Sequence, residues 1–197
     1  KSQIWLLDPR PNLPSIVRMV EKGFELSEAS NTPVMLELRI RACHVHGSFE
    51  TKDNVAPRYS RRNPITKPVF SLERIPLPPH NYTQEKLKID VRLPEALKFI
   101  QREQLNEFFP GDLRQVGIIL QGGMYNTTIR ALQQLGLADP YGASRIPLYV
   151  LNVTYPLVPE QVGEFSAGKR AVLVLEEGQP DYIEQDIATL LPSRDIP

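Results

Sequence analysis

The sequence predicts an α/β fold in which two units are joined by a proline-rich linker. Between residues 113 and 191, short apolar runs alternate three times with helix-like stretches, which is typical of a three-layer lobe with a parallel sheet. A shorter strand–helix–strand pattern occupies residues 1–49, and prolines are concentrated between the two patterns. The predicted organisation is a partial βαβ unit over 1–49, a linker with one helix over 50–112 and an α/β lobe over 113–197.

The first unit begins with the apolar run Ile4–Leu7, which predicts a strand closed by Asp8. A helix is predicted from about Leu13 to Ala29, because its apolar positions recur with a period close to 3.6 and Pro14 suits a first turn. A second strand is predicted over residues 33–40. A crossover unit of this length implies that the two strands are parallel.

The linker is marked by proline, which accounts for 19 of the 197 residues, about twice the usual share. Repeated X-Pro steps favour an extended backbone over residues 50–92, and we expect this segment to be draped over the surface. Its basic cluster, Arg58–Arg62, leaves phosphate binding open, although a solvated or acid-paired loop is favoured. The apolar residues that it can bury are Val69, Phe70, Leu72, Ile75 and Leu77.

Beyond the linker, Pro94 opens a helix predicted over residues 94–109, which Pro110 ends. The lobe that follows is expected to fold independently. Residues 1–49 are too few to bury a stable core by themselves, so we expect them to pack against the linker, this helix or a neighbouring chain. The strands predicted in the lobe are 116–120, 147–151 and 171–175, and the helices run from Gly123 to Gly136, from 159 to 167 and from Pro180 onward.

Composition limits the classes of function. Lys and Arg total 23, as do Asp and Glu, so the formal net charge is zero, which argues against a nucleic-acid binder and a polybasic membrane anchor. No apolar run approaches the ~18 residues of a membrane span. The single cysteine, Cys43, excludes an internal disulfide. The chain begins without Met and without a signal-peptide pattern, so we expect a cytoplasmic piece of a longer polypeptide.

Three short motifs contain residue types that could form chemical sites. The glycines from Gly117 to Gly123 lie at a strand-to-helix turn, but the lysine of a phosphate-binding loop is absent, so a tight turn is favoured. In an extended segment over Cys43–His46, alternate side chains face opposite sides, so only His44 and His46 could converge, and two ligands are too few for a zinc site. For the same reason, Cys43 could not act together with its neighbour His44. Glu176 and Glu177 follow the third apolar run, where they could act in acid–base chemistry, but a role beside the next helix N-terminus is favoured.

Several segments together resemble one family, the indolepyruvate:ferredoxin oxidoreductases. The first half resembles the end of the pyrimidine-binding domain, with its helix ending ELSE, its strand TPVLLR and its exit motif R-x-[SC]-H; the matching residues are Phe24–Ala29, Thr32–Arg39 and Arg41–His44. The second half resembles the transketolase C-terminal-like domain that follows; the matching residues are Gly117–Ile119, Tyr125-Asn126, Ala131-Leu132, Leu135–Leu137, Tyr155–Glu160, Phe165 and Val172–Glu177. Two departures are Leu38–Ile40, where the family often has threonines, and Leu120–Gly123, where it has the turn TSG.

This resemblance implies a parent enzyme that oxidatively decarboxylates an arylpyruvate to acyl-coenzyme A and passes electrons through iron–sulfur clusters to ferredoxin. The implied cofactors are thiamine diphosphate, Mg²⁺ and those clusters. The chain itself contains neither the diphosphate-binding stretch nor a cysteine set, so it is expected to bind none of them and to serve domain packing and a subunit interface. The implied partners are the remaining domains or subunits of a homodimeric parent, with ferredoxin and coenzyme A; no nucleic acid or membrane is expected.

No catalytic residue is predicted within the chain, and Arg41 and His44 are weak candidates for positions near the cofactor cleft, because they match the exit motif. Both could instead anchor the linker by hydrogen bonds, which is favoured. Two other functions remain open. The chain could be a stand-alone, non-catalytic binding or scaffold module, or a small hydrolase that uses Glu176 and Glu177, although no accompanying nucleophile or metal ligand is evident.

Overall fold

The protein contains two mixed β-sheets flanked by helices. The computed structural model describes residues 4–56, 71–75, 77–178 and 180–191. In chain order the strands are β1 (Trp5–Leu7), β2 (Val34–Leu36), β3 (Glu107–Phe109), β4 (Val116–Gln121), β5 (Leu148–Leu151), β6 (Val153–Tyr155) and β7 (Ala171–Leu175). The helices are α1 (Leu13–Ser30), α2 (Ile40–Cys43), α3 (His80–Leu87), α4 (Leu93–Arg102), α5 (Tyr125–Gln134), α6 (Pro159–Ser166) and α7 (Tyr182–Leu190).

Sheet A has the strand order β2-β1-β6, and sheet B has the order β3-β5-β4-β7. In sheet B the three strands that the sequence predicts are mutually parallel, which confirms the parallel lobe, and β3 joins its edge in antiparallel orientation. In sheet A, β1 and β2 are parallel as predicted, whereas β6 pairs antiparallel with β1. Only Asn152 separates β5 from β6, so one extended stretch of chain belongs to both sheets.

The first helix agrees with its prediction. The Asn12 side chain accepts a hydrogen bond from the Ser15 N–H at 2.9 Å, and Asn31 ends the helix in the left-handed conformation with φ 47°. The second strand is shorter than predicted: it ends at Leu36, and Ile40–Cys43 form a helical turn. The chain therefore leaves the sheet early, and this brings Arg39 back toward the end of β1.

The prediction of an irregular segment up to residue 92 is wrong. Residues 80–102 are helical throughout, because a π-helical turn over Lys88–Arg92 connects α3 to α4. The prolines of this region lie before α3 or in the first turn of α4, where a missing N–H is tolerated. The predicted helix over 94–109 is also wrong at its end, since Glu107–Phe109 pair with β5. The Arg58–Arg62 cluster, Val69 and Phe70 lie outside the described residues.

The core occupies three layers around sheet B and continues over one face of sheet A. Side chains of β4 and β5 pack against α6 and α7 on one face of sheet B and against α5 on the other, which confirms the three-layer lobe. Over sheet A, side chains of β1, β6, α1 and α4 form one cluster; its buried members are Trp5, Leu7, Met19, Leu26, Ala96, Phe99, Ile100, Leu105, Val153 and Val158. The first unit thus packs against α4, as predicted, and also against β6. No helix among the described residues has the length and apolar character needed to cross a bilayer.

Candidate functional site

A buried carboxylate marks the carboxyl end of β1. Asp8 is 1% exposed, and its Oδ2 accepts a hydrogen bond from Nη2 of Arg39 at 2.9 Å. Its Oδ1 accepts a second bond from the Gly123 N–H at 3.1 Å, on the turn that follows β4. Burial raises the pKa of the Asp8 carboxyl above its ordinary value, although Arg39 and the Gly123 N–H act in the opposite direction.

Arg39 connects this carboxylate to the other sheet. Its side chain is mostly buried, and Nη1 forms an ion pair with the Glu177 carboxylate just beyond β7. Nη2 also lies 3.9 Å from the Glu37 carboxylate. One guanidinium therefore meets carboxylates that follow β1, β2 and β7, which joins the carboxyl ends of both sheets.

A second ion pair lies two residues further along the chain. Arg10 donates from Nε and Nη2 to both oxygens of Glu107, at 2.5 and 2.7 Å, in the paired geometry that favours arginine. The guanidinium carbon also lies 4.9 Å from the ring centroid of Tyr125 and 5.3 Å from that of Phe109. Burial acts to raise the pKa of Glu107, but hydrogen bonds from Arg10 and Asn152 outweigh it, and the pKa lies below its ordinary value.

Asn152 connects these groups at the break between β5 and β6. Its Oδ1 accepts the backbone N–H of Arg10 at 3.0 Å, and its Nδ2 donates to the Leu105 carbonyl at 2.8 Å and to Glu107 Oε2 at 2.9 Å. Its own carbonyl accepts the Asp8 N–H at 2.9 Å. We call Asp8, Arg10, Arg39, Glu107 and Asn152 the ionic junction.

The glycine turn after β4 is filled by protein atoms. A β-carbon at Gly122 would overlap the Asp8 carbonyl, and one at Gly123 would overlap the Arg39 side chain. These glycines are therefore needed for close approach of the segment after β1, and the structure confirms the tight turn that the sequence favours here.

The paired glutamates have separate structural partners. Glu176 accepts hydrogen bonds from the backbone N–H groups of Ile183 and Glu184, at 3.0–3.1 Å, in the first turn of α7. Negative charge is favoured at this end of a helix. Glu177 pairs with Arg39, and its N–H donates to the Gln121 side chain at 2.7 Å. The helix-terminus role that the sequence favours for this pair is thus confirmed for Glu176.

The ionic junction does not include the candidates taken from the exit motif. Arg41 belongs to the α2 turn, and His44 follows it with an exposed side chain. The assumption of an extended chain from Cys43 to His46 is wrong at its start, because Cys43 ends this turn. No group of three His, Cys, Asp or Glu side chains in the described ranges is arranged to hold a metal ion.

Sequence reasoning missed every member of the ionic junction as a site residue. A local signal was present: Asp8 and Arg10 directly follow a buried strand, at the sheet edge where polar groups of α/β folds gather. Their partners are distant in sequence, because Glu107 and Asn152 lie 97 and 142 residues from Arg10. Arg39 belongs to the predicted second strand and to the stretch that resembles the family, but neither pattern gives it a role in a site.

Comparison with known proteins gives no matching protein-family model. The chain is 34% identical over 176 residues to indolepyruvate oxidoreductase subunit IorA of Methanothermobacter marburgensis, which covers 87% of the chain and 26% of that subunit. It is 28% identical over 183 residues to the subunit of the same name from Methanothermobacter thermautotrophicus, covering 90% of the chain and 27% of the subunit. The chain thus spans about a quarter of the length of these curated relatives.

Proposed function

The chain is related to indolepyruvate oxidoreductase subunit IorA, and from this relationship we propose that it forms part of a thiamine diphosphate-dependent 2-oxoacid:ferredoxin oxidoreductase. The reaction proposed for the whole enzyme is the oxidative decarboxylation of an arylpyruvate to an acyl-coenzyme A, with ferredoxin as electron acceptor. The observation that supports the proposal is the 34% identity over 87% of the chain.

Within that enzyme, we assign this chain a packing role. The ionic junction joins the segments after β1 and β2 to β3, to the β5–β6 break and to the end of β7, and its side chains are largely withdrawn from solvent. Charged groups that are paired in this way fix the relative position of two sheets, because separating them would leave charges buried without partners. A fixed relation between the two units is what a scaffold for a cofactor cleft requires.

We propose that the turn after β4 does not hold a diphosphate, because its Gly123 N–H already donates to Asp8 Oδ1. The space beside Gly122 and Gly123 is taken by the Asp8 carbonyl and the Arg39 side chain. We therefore propose that the cofactor, Mg²⁺ and the iron–sulfur clusters are held elsewhere in the enzyme. In calorimetric titration with thiamine diphosphate and Mg²⁺, the isolated chain should give no binding heat; stoichiometric micromolar binding would contradict this assignment.

Arg41 and His44 remain proposed neighbours of the cofactor cleft, with linker anchoring as the favoured alternative. The His44→Ala variant of the assembled enzyme separates the two roles. A lower turnover with unchanged thermal stability supports proximity to the cleft, whereas a lower stability with unchanged turnover supports anchoring. If both are unchanged, neither role stands.

The enzyme assignment is tested by purification with natural partners. We expect the chain to be present at fixed stoichiometry in a complex that reduces ferredoxin, or a viologen dye, when both an arylpyruvate and coenzyme A are supplied. Omission of coenzyme A serves as the control for non-specific reduction. A chain that purifies without partners, together with a full-activity enzyme that lacks it, would identify a stand-alone scaffold module and refute the proposal.

A further inference from the structure

We propose that a polar cavity between α1, α4, β3 and α6 binds an adenine nucleotide. The cavity has a volume of about 540 Å³, within the range of small-molecule sites. The lining residues on which the argument depends are Arg18, Gln101, Gln104, Phe108 and Gln161. We call the space that they enclose the amide cavity. The inference goes beyond the proposed function and does not depend on it.

Phe108 offers an aromatic surface to the amide cavity. Its ring stacks on the buried ring of Tyr149, with the centroids 4.5 Å apart and the planes 3° from parallel. The Phe108 side chain is nevertheless 46% exposed, on the edge strand of sheet B. A ring that is fixed on one side and accessible on the other is a platform on which a flat heterocycle can stack.

Hydrogen bonds within the protein fix the amide of Gln161. Its Oε1 accepts hydrogen bonds from Asn106 Nδ2 at 3.1 Å and from the Tyr149 hydroxyl at 2.9 Å. Asn106 is buried, and its Oδ1 accepts the Val153 N–H at 2.9 Å, so this network is anchored to the backbone. Because the oxygen of Gln161 is already used, the group that it has left for a ligand is the donor Nε2.

Gln101 supplies a complementary acceptor. Its Nε2 donates to Glu160 Oε2 at 3.2 Å, a bond that joins α4 to α6, so Oε1 is the group left for a ligand. A donor and an acceptor from Gln161 and Gln101 match adenine, which carries an acceptor ring nitrogen next to its amino donor. Guanine presents two donors beside one acceptor at the corresponding edge and matches this pair less well. With the Phe108 ring for stacking, the amide cavity therefore favours adenine.

The rim of the amide cavity is a strained turn that Arg18 holds in place. Gln104 has φ 49°, which is uncommon outside glycine, and Arg18 Nη2 donates to the carbonyls of Glu103 and Gln104 at 2.6 and 3.4 Å. Backbone strain of this kind is concentrated at ligand sites. Glu107 also lines the cavity, but Arg10 donates to both of its oxygens. The Arg18 guanidinium can therefore attract the phosphate of a nucleotide.

Isothermal titration calorimetry of the 197-residue chain with AMP tests the proposal. AMP should bind at a ratio of one to one and at least tenfold more tightly than GMP or ribose 5-phosphate, which lack the matching edge or the whole base. Adenosine should bind more weakly than AMP, because it lacks the phosphate. The proposal is overturned if millimolar AMP gives no binding heat, or if GMP, ribose 5-phosphate or adenosine binds as tightly as AMP.

Two matched variants test the role of the Gln161 donor. Gln161→Glu keeps an oxygen that can accept from Asn106 and Tyr149 but replaces the donor Nε2, so AMP binding should weaken about tenfold or more. Gln115→Glu adds the same charge at an exposed residue before β4 and should leave the affinity unchanged. Circular dichroism checks that both variants are folded. Equal affinities of the two variants for AMP would overturn the proposal.

Nuclear magnetic resonance of the unaltered chain locates the nucleotide. Addition of AMP should shift the side-chain amide signals of Gln161 and Gln101. The side-chain amide of Gln133, which donates to the Asp139 carbonyl at the end of α5, is the internal control and should not shift. Unshifted Gln161 and Gln101 signals at saturating AMP would overturn the proposal, because the nucleotide would then be bound elsewhere.

Discussion

Replacing Arg39 with methionine would leave the buried Asp8 carboxylate without its guanidinium partner. Breaking a buried ion pair by removing one member costs ~3–5 kcal/mol, because the remaining charge stays desolvated. Asp8 would keep its hydrogen bond from the Gly123 N–H and could also take up a proton, and both effects reduce the loss. We therefore expect the free energy of unfolding at pH 7 to fall by about 2–3 kcal/mol.

The loss in Arg39→Met should depend on pH in a defined direction. Burial already raises the pKa of Asp8 from its ordinary 3.8, and removal of Arg39 raises it further. A carboxyl group whose pKa is higher in the folded state contributes its full stability below the unfolded value, and this contribution is lost as the pH rises through the folded value. The variant should accordingly approach wild-type stability as the pH is lowered from 7 toward 4.

Urea denaturation followed by the fluorescence of Trp5, the one tryptophan of the chain and a buried residue, measures these differences. The matched control is Arg145→Met, which removes an exposed ion pair with Asp112 and should lower the free energy of unfolding far less than Arg39→Met does. Adding Asp8→Asn to Arg39→Met should restore much of the stability, since the buried carboxylate is then removed and the other two partners of Arg39, Glu37 and Glu177, are exposed. The reasoning is refuted if Arg39→Met costs no more than Arg145→Met, or if the added Asn gives no recovery.

Further predictions concern the same region. Because the pKa of Glu107 is lowered in the folded protein, ionised Glu107 stabilises the fold above pH 4.5, and this contribution is lost on acidification. In Glu107→Gln, the free energy of unfolding from urea titrations should therefore fall less steeply as the pH is lowered. An unchanged pH dependence would contradict this prediction. Gly122→Ala should lower the melting temperature more than Gly168→Ala, because the first places a methyl group against the Asp8 carbonyl and the second adds only backbone strain at φ +70°. The reverse order would show that the turn after β4 can move to accommodate the methyl group. Glu176→Gln should destabilise α7 by about 0.5–1 kcal/mol in thermal melts, which an unaltered melt would disprove. Limited proteolysis within the linker around Arg58–Arg62 should leave residues 1–49 bound to the remainder in gel filtration, through β6 and α4; elution as separate fragments would contradict that contact.

The parts of the fold that follow from local pattern were predictable from sequence. The apolar runs that become β4, β5 and β7 are long enough to predict strands, and α1 carries its own start and stop residues in Asn12 and Asn31. The elements that depend on distant partners were not predictable. β3 and β6 are short, and each forms because a strand from another part of the chain offers it an edge.

The same distinction between local and distant interactions applies to the residues of the candidate site. The roles of Gly122 and Glu176 could be anticipated, because a turn before a helix and a carboxylate at a helix N-terminus act on nearby backbone. The ion pairs of Arg10 and Arg39 join residues 97 and 31 positions apart. No local pattern specifies such pairs, since the same charges would be ordinary surface residues if the two sheets did not meet there.

The shared strand stretch from β5 to β6 limits how the two halves of this chain can diverge. Leu148–Leu151 must fit their neighbours in one sheet, and Val153–Tyr155 must fit β1 in the other. Asn152 is fixed between them by hydrogen bonds to Arg10, Leu105, Glu107 and Asp8. A substitution in either half therefore changes the fit of the other half. Exchange of the C-terminal lobe between relatives would preserve the packing only if the facing residues of β1 and the Asp8–Arg10 segment were transferred with it.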